Sequence, residues 1–245
     1  MIRLLLVLIL VIVYLILSII LIPLMYLIGL FSKKARDYSS LRLIQGLFKT
    51  ILFLSGVKTK VIGKENIPKD EAVLFVGNHH GFFDVIVAYS LMPNLTGFIA
   101  KKEMRKVYGI SNWMNLLHCL FIDRSSPRTG LKTILDGIEV LKSGISLVIF
   151  PEGTRNKSDE GILPFHAGSF KLATKSKVKI IPMTQTHTSE VFEKHLPWLK
   201  ATHTSIEFGK PIDVTTLTPN EEKILHETCQ NLILETYNKN LELYK

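Results

Sequence analysis

Residues 4–30 form an unbroken apolar run of 27 residues without a charged side chain. As a helix rising about 1.5 Å per residue it spans roughly 40 Å, more than the ~30 Å hydrocarbon core of a bilayer. Pro23 falls inside the run and predicts a kink or a break there. One tilted span fits the length, and so does a helix that dips into one leaflet and returns. A cleaved signal peptide fits poorly, because its apolar core is usually about 7–15 residues and no A-x-A-like site follows. Residues 31–40 read as a short basic hinge. Residues 41–54 then set Leu41, Ile44, Phe48, Ile51 and Leu52 on one face and Arg42, Gln45 and Lys49 on another, which is helical spacing. Both a core-facing helix and an interfacial helix on a membrane account for it.

From about Val57 the pattern changes to short apolar runs between helical stretches. Segments 72–76, 98–100, 120–122, 145–150, 178–182 and 205–208 read as strands, and 84–92, 129–142 and 168–175 as helices. Strands alternating with helices predict an α/β fold, a largely parallel mixed sheet flanked by helices, with the N-terminal hydrophobic helix as a membrane anchor. A last helix starts with a clear signal: Thr218 at the cap, Pro219 at the first turn and Glu221 completing a capping box. The expected division is residues 1–56, anchor and amphipathic helix, and residues 57–245, one α/β domain.

Charge sharpens this division. The chain of 245 residues carries a formal net charge of +9. Residues 1–64 hold nine Lys or Arg side chains against one acid, Asp37, so +8 of that charge lies there. Basic residues beside an apolar run are drawn to anionic headgroups, about 1 kcal/mol each near the surface. A basic chain also raises nucleic-acid binding. That reading is set aside because the charge flanks an apolar run and lines no nucleic-acid motif. Cys119 and Cys229 stand far apart with no CxxC spacing and read as buried thiols.

Two segments carry chemistry. Asn78-His79-His80-Gly81-Phe82-Phe83-Asp84 follows the first predicted strand of the domain. Open α/β sheets place ligands at the carboxyl ends of their strands. There a turn can fold the Asp84 carboxylate back onto the His79 ring, which sets its tautomer and stabilises the imidazolium. A helix-capping Asp84 beside a loop histidine is the plainer alternative. Phe150-Pro151-Glu152-Gly153-Thr154-Arg155 follows the most apolar strand. Pro151 ends it, Gly153 permits a tight turn, and Arg155 offers a planar fork of donors suited to phosphate. A surface turn with an ion pair is the plainer alternative here. His80, His118 and Cys119 raise zinc, but none has the one-turn spacing of a helical metal site. No metal site and no cofactor is expected.

Together the two segments resemble the glycerolipid acyltransferase family, whose type activity acylates 1-acylglycerol 3-phosphate. Asn78-His79 with Asp84 is similar to its His-x4-Asp motif, Leu120 to Arg124 to a second block, Phe150 to Arg155 to a third, and Ile180-Ile181-Pro182 to a fourth. Ala100-Lys101-Lys102-Glu103 and the stretch from Pro164 to Phe170 resemble further blocks, so the likeness runs from about Val73 to Met183. It implies His79 as general base and Asp84 as its partner, with direct attack of an acceptor hydroxyl on an acyl thioester. Arg124, Arg155 and nearby Lys101 would hold the acceptor phosphate. Glu152, Gly153 and Thr154 would shape the acceptor pocket. The implied partners are membrane lipids, lysophosphatidic acid, and acyl-CoA or acyl-acyl carrier protein as donor. The other readings are acylation of a different lysolipid, such as a lyso-aminolipid, and a lipid-binding protein without activity. Lys33, Lys34 and Arg36 follow the apolar run and Arg3 precedes it. That bias places the catalytic domain on the cytoplasmic face, here a bacterial inner membrane. Two positions depart from the family pattern: Gly81 where serine is common, and His118 where glycine is.

Overall fold

The computed structural model describes residues 1–123, 126–158 and 161–244. The apolar run is helix α1 (Ile2–Phe31), which continues through Pro23 and does not break there. Helix α2 (Lys33–Ser55) follows after a single residue, Ser32. The expected basic hinge over residues 31–40 is thus reduced to one residue. Ser32 is extended (φ −154°, ψ 109°) and its hydroxyl accepts the Ala35 N–H at 3.2 Å, so it ends one helix and caps the next. Gly56, at φ 73°, closes α2 in the left-handed conformation.

The remaining elements are β1 (Lys58–Ile62), β2 (Leu74–Gly77), α3 (Phe82–Leu91), β3 (Thr96–Lys101), α4 (Ile110–Leu116), β4 (Leu120–Ile122), α5 (Pro127–Lys142), β5 (Ser146–Ile149), α6 (Lys171–Ser176), β6 (Ile180–Thr186), β7 (His203–Phe208) and α7 (Pro219–Leu241). Among the described residues they build one seven-stranded sheet in the order β1-β7-β6-β2-β5-β3-β4. The five strands β2 to β6 are mutually parallel. β7 runs against β6, and β1 runs with β7. The largely parallel mixed sheet flanked by helices is as the patterning predicts. Strand β1 was not anticipated: its lysines break the apolar signal, as suits an edge strand. β6 runs on beyond the apolar stretch through Thr184-Gln185-Thr186. These polar side chains are buried, and Thr186 shares a 2.6 Å hydrogen bond with Ser205 on β7.

Each face of the sheet has its own core. On one, Phe75, Met183 and Phe208 pack against Leu41 and Ile44 of α2, Val87 of α3 and Trp113 of α4. On the other, Leu74, Leu147 and Ile180 pack against Leu141, Leu172 and Ile233 from α5, α6 and α7. The apolar face of α2 is therefore core-facing, with Leu41 at 0% exposure. Gln45, which the spacing puts with Arg42 and Lys49, is instead buried on this face, one turn from Leu41, and donates to the carbonyls of Tyr89 (3.1 Å) and Met92 (2.7 Å), satisfying the end of α3. Helix α1 lies outside α2. It is pinned by the Trp113 indole N–H, which donates to the Ser18 hydroxyl at 2.8 Å. Its outward side exposes Leu5, Leu8, Ile9, Ile12, Ile16, Ile19 and Ile20, a far larger apolar patch than a soluble surface carries. Among the described residues, α1 is the one helix long and apolar enough to cross a membrane.

Because Leu41 is buried against the sheet core, Leu41→Ala is expected to cost about 2–5 kcal/mol. Lys49→Ala, on the exposed side of α2, should change stability by less than ~0.5 kcal/mol. Denaturant unfolding of both variants in detergent checks this, and equal effects would mean that α2 is no part of the cooperative core.

Candidate active site

The five parallel strands deliver their carboxyl ends to one edge. Val76 lies opposite Ile149, and Gly77 opposite Met183. The segments that leave β2 and β5 therefore emerge side by side. Asn78 sets the exit. Its amide donates to the Gln185 carbonyl and its Oδ1 accepts the Gln185 N–H, each at 2.8 Å, tying the end of β2 to β6. The chain then turns through His79-His80-Gly81 into α3.

Asp84, in the first turn of α3, is fully buried. Its Oδ2 accepts the His79 Nδ1–H at 2.8 Å and the N–H groups of His80 (2.6 Å) and Gly81 (2.7 Å). Its Oδ1 accepts the Thr188 hydroxyl. Burial pushes the Asp84 carboxyl up, but the His79 ring, the Gly81 amide and the Thr188 hydroxyl outweigh it and hold the group below the ordinary carboxylate range. An ionised Asp84 accepts only, so Nδ1 of His79 carries a proton, and in the neutral ring the lone pair lies on Nε2. The Phe150 ring stacks on the imidazole at 4.3 Å and 13° and limits its rotation. The His79 side chain is 19% exposed. A positioned, partly accessible base on a buried carboxylate is equipped to take a proton from a hydroxyl.

The second segment divides by direction. Glu152 is turned inward at 4% exposure. Its Oε1 accepts the His79 backbone N–H at 2.6 Å and its Oε2 the Leu163 N–H at 2.9 Å, so it braces the backbone of His79. Burial pushes its carboxyl up to about 7. Gly153 makes the turn at φ 75°, and Thr154 is exposed. The Arg155 guanidinium lies 4.0 Å over the Phe82 ring and donates to Glu193 at 3.2 Å. Glu193 also accepts the Phe82 N–H at the start of α3, at 2.7 Å. Lys101 ends β3 at the same edge, exposed. Arg124 lies outside the described residues.

Several contributors escaped the sequence. Thr188 reaches Asp84 from 104 residues away, and Glu193 reaches Phe82 from 111. Asn156 adds its N–H to the His79 carbonyl at 2.7 Å. None has a local signal, since only the fold of the segment after β6 brings Thr188 and Glu193 over α3. His118 does stand in the left-handed region, φ 57°, where glycine is the easy choice. Its ring bonds Asp37 of α2 at 3.0 Å instead of facing the site. Its neighbour Cys119 accepts the Phe98 N–H at 3.3 Å, and His80 stacks on Tyr237 at 5.1 Å, so the three former metal candidates have separate partners.

The acyltransferase family model matches residues 58–186, more than half of the chain and both segments of the site. The chain belongs to the acyltransferase family. It is 29% identical over 203 residues to the 1-acyl-sn-glycerol-3-phosphate acyltransferase of Borreliella burgdorferi, covering 83% of this chain and 79% of that one. It is 28% identical to the protein of the same description from Saccharomyces cerevisiae, over 77% of this chain and 63% of the yeast protein's length. The crystal structure of the 1-acyl-sn-glycerophosphate acyltransferase PlsC from Thermotoga maritima shares the fold, with a TM-score of 0.81 at 23% identity, over 97% of this chain and 95% of that one.

The two carboxyls of this acyltransferase site respond oppositely to pH. Glu152 binds its proton more tightly folded than unfolded. Its contribution to stability is complete below about pH 4.5 and lost as pH rises through about 7. Asp84, held low, contributes above the usual carboxylate range and loses this on acidification. Denaturant unfolding between pH 4.5 and 7 should show a decline that Glu152→Gln flattens. An unchanged slope in that variant would assign the decline to another group.

Proposed function

We propose that this acyltransferase moves a fatty acyl group from a thioester to the free hydroxyl of 1-acyl-sn-glycerol 3-phosphate, lysophosphatidic acid, and so makes phosphatidic acid. The observation that carries the reading is the His79–Asp84 pair, 2.8 Å apart, at the sheet edge that also presents Arg155. The Nε2 of His79 takes the proton of the acceptor hydroxyl as its oxygen attacks the thioester carbonyl. Asp84 stabilises the imidazolium. The tetrahedral intermediate then expels the thiolate, which receives that proton, so no covalent acyl-enzyme forms. Arg155, Lys101 and Arg124 carry the charge that suits the acceptor phosphate. The acyl donor, acyl-CoA or acyl-acyl carrier protein, supplies a leaving group that needs no metal or cofactor. The names of the relatives from Borreliella burgdorferi and Saccharomyces cerevisiae support this acceptor.

Membrane attachment fits both lipid substrates. One side of α1, from Leu4 to Ile28, packs on the domain, and the other is exposed and apolar. A helix held along the domain in this way enters one leaflet more readily than it projects across both. Lys33 and Lys34 at the start of α2 sit beside it, exposed to anionic headgroups on the cytoplasmic face of a bacterial inner membrane, while Arg36 is paired with Asp37 at 2.7 Å.

His79→Ala is expected to lower kcat by about 10²–10⁴ while leaving the unfolding transition in place. A folded variant with wild-type turnover of lysophosphatidic acid would remove the assignment. Arg155→Ala should raise KM for the phosphorylated acceptor by about 10- to 150-fold, with little change in KM for the thioester. Steady-state kinetics with each substrate varied in turn separates the two, and an effect confined to the thioester would place Arg155 on the donor.

A further inference from the structure

The carboxylate of Glu193 occupies a seat made for an anion. Its Oε1 takes the Phe82 N–H, at the positive end of the ten-residue helix α3, at 2.7 Å, and the Arg155 guanidinium at 3.2 Å. Gly81 makes the room: a Cβ there would lie 2.6 Å from Glu193 Oε2 and 3.0 Å from its Cδ. The fit is incomplete on the other side, since Oε2 is buried without a hydrogen-bond partner. A buried charged oxygen with no donor is costly. A tetrahedral dianion offers the same two donors more acceptor oxygens and twice the charge. The seat is three residues from the base, and the Arg155 side chain remains 34% exposed, so a ligand can reach it.

We propose that Glu193 is a built-in competitor of the acceptor phosphate: the chain's own carboxylate holds Phe82 N–H and Arg155 until the phosphate displaces it. Glu193 thereby sets the affinity for phosphorylated acceptors. This rests on the reading of Arg155 as a phosphate holder. Glu193 opens a short turn (Glu193–His195) between the buried anchors Val191 and Leu199, and its displacement needs only its side chain to rotate out of the seat.

The test is steady-state kinetics of Glu193→Gln, with inorganic phosphate as a competitive probe. Glutamine can still accept the Phe82 N–H but carries no charge. KM for lysophosphatidic acid and the inhibition constant of inorganic phosphate should both fall, by roughly 5- to 13-fold as a charge-assisted contact gives way to a neutral one, with kcat within about twofold. Gly81→Ala is the second variant. Its backbone is extended (φ −154°), so alanine is unstrained, and its methyl displaces the carboxylate sterically, offering Oε2 no donor, while the charge stays in the chain. It should lower KM in the same direction. In an Arg155→Ala background the gain from Glu193→Gln should vanish. If Arg155→Ala raises KM but Glu193→Gln leaves it unchanged or raises it, Glu193 merely holds Arg155 in place. The competitor role then fails and the reading of Arg155 stands. If Arg155→Ala leaves KM unchanged, both fail. A fall in KM without a matching fall for inorganic phosphate would put the effect on the lipid part of the acceptor and also overturn the proposal.

Discussion

The site depends on one buried charge. Asp84 has no solvent exposure, and a carboxylate so placed is tolerable only if its lone pairs are filled. Four donors fill them: the His79 ring, the amides of His80 and Gly81, and the Thr188 hydroxyl. Three come from the turn that precedes α3, so the carboxylate caps the helix and holds the His79 ring in the same act. Capping the helix and bonding the histidine, the two roles of Asp84 open to the sequence, are therefore compatible. The capping bonds aim the carboxylate, and the aim orients the imidazole.

The other constraint is where this turn is anchored. Asn78 clamps it to β6 through both of its amide atoms, Glu152 holds the His79 N–H from β5's exit, and Asn156 takes the His79 carbonyl. The backbone of the base is thus held from both neighbouring strands. Such support from rigid elements is what lets a base sit within hydrogen-bond reach of a substrate proton without reorganising. Glu152 and Arg155 belong to one short segment yet point in opposite senses. The first serves the frame, and the second faces the opening.

The helical layer joins the site to an exposed apolar surface. α2 is core on one side and bears α1 on the other, so the apolar surface of α1 is carried rigidly on the domain. Leu4, Val7, Leu10 and Val11 of α1 share a cluster with Phe83 of α3 and Val191 and Leu199, which flank Glu193. Helix α1 and the segment over the site are packed against each other.

Much of this was legible in the linear pattern. Alternating short apolar runs and helical stretches specify an α/β sheet because burial on both faces demands continuous apolar strands. The apolar run specifies a helix that water cannot solvate. His79 and Asp84, with four residues between them after a strand, and Arg155 after the most apolar strand, are local groupings that survive in one dimension. What the sequence left open was decided by packing. Residues 41–54 read equally as core or as a membrane surface helix, and only the sheet face that receives Leu41 settles it. Ser32 replaces a ten-residue hinge because an N-cap hydroxyl restarts the helix at once. Thr188 and Glu193 lie more than a hundred residues from Asp84 and from Phe82 at the start of α3. Their role follows from where β6 ends, and a hydroxyl or carboxylate at such separation leaves no periodic or local trace in the chain.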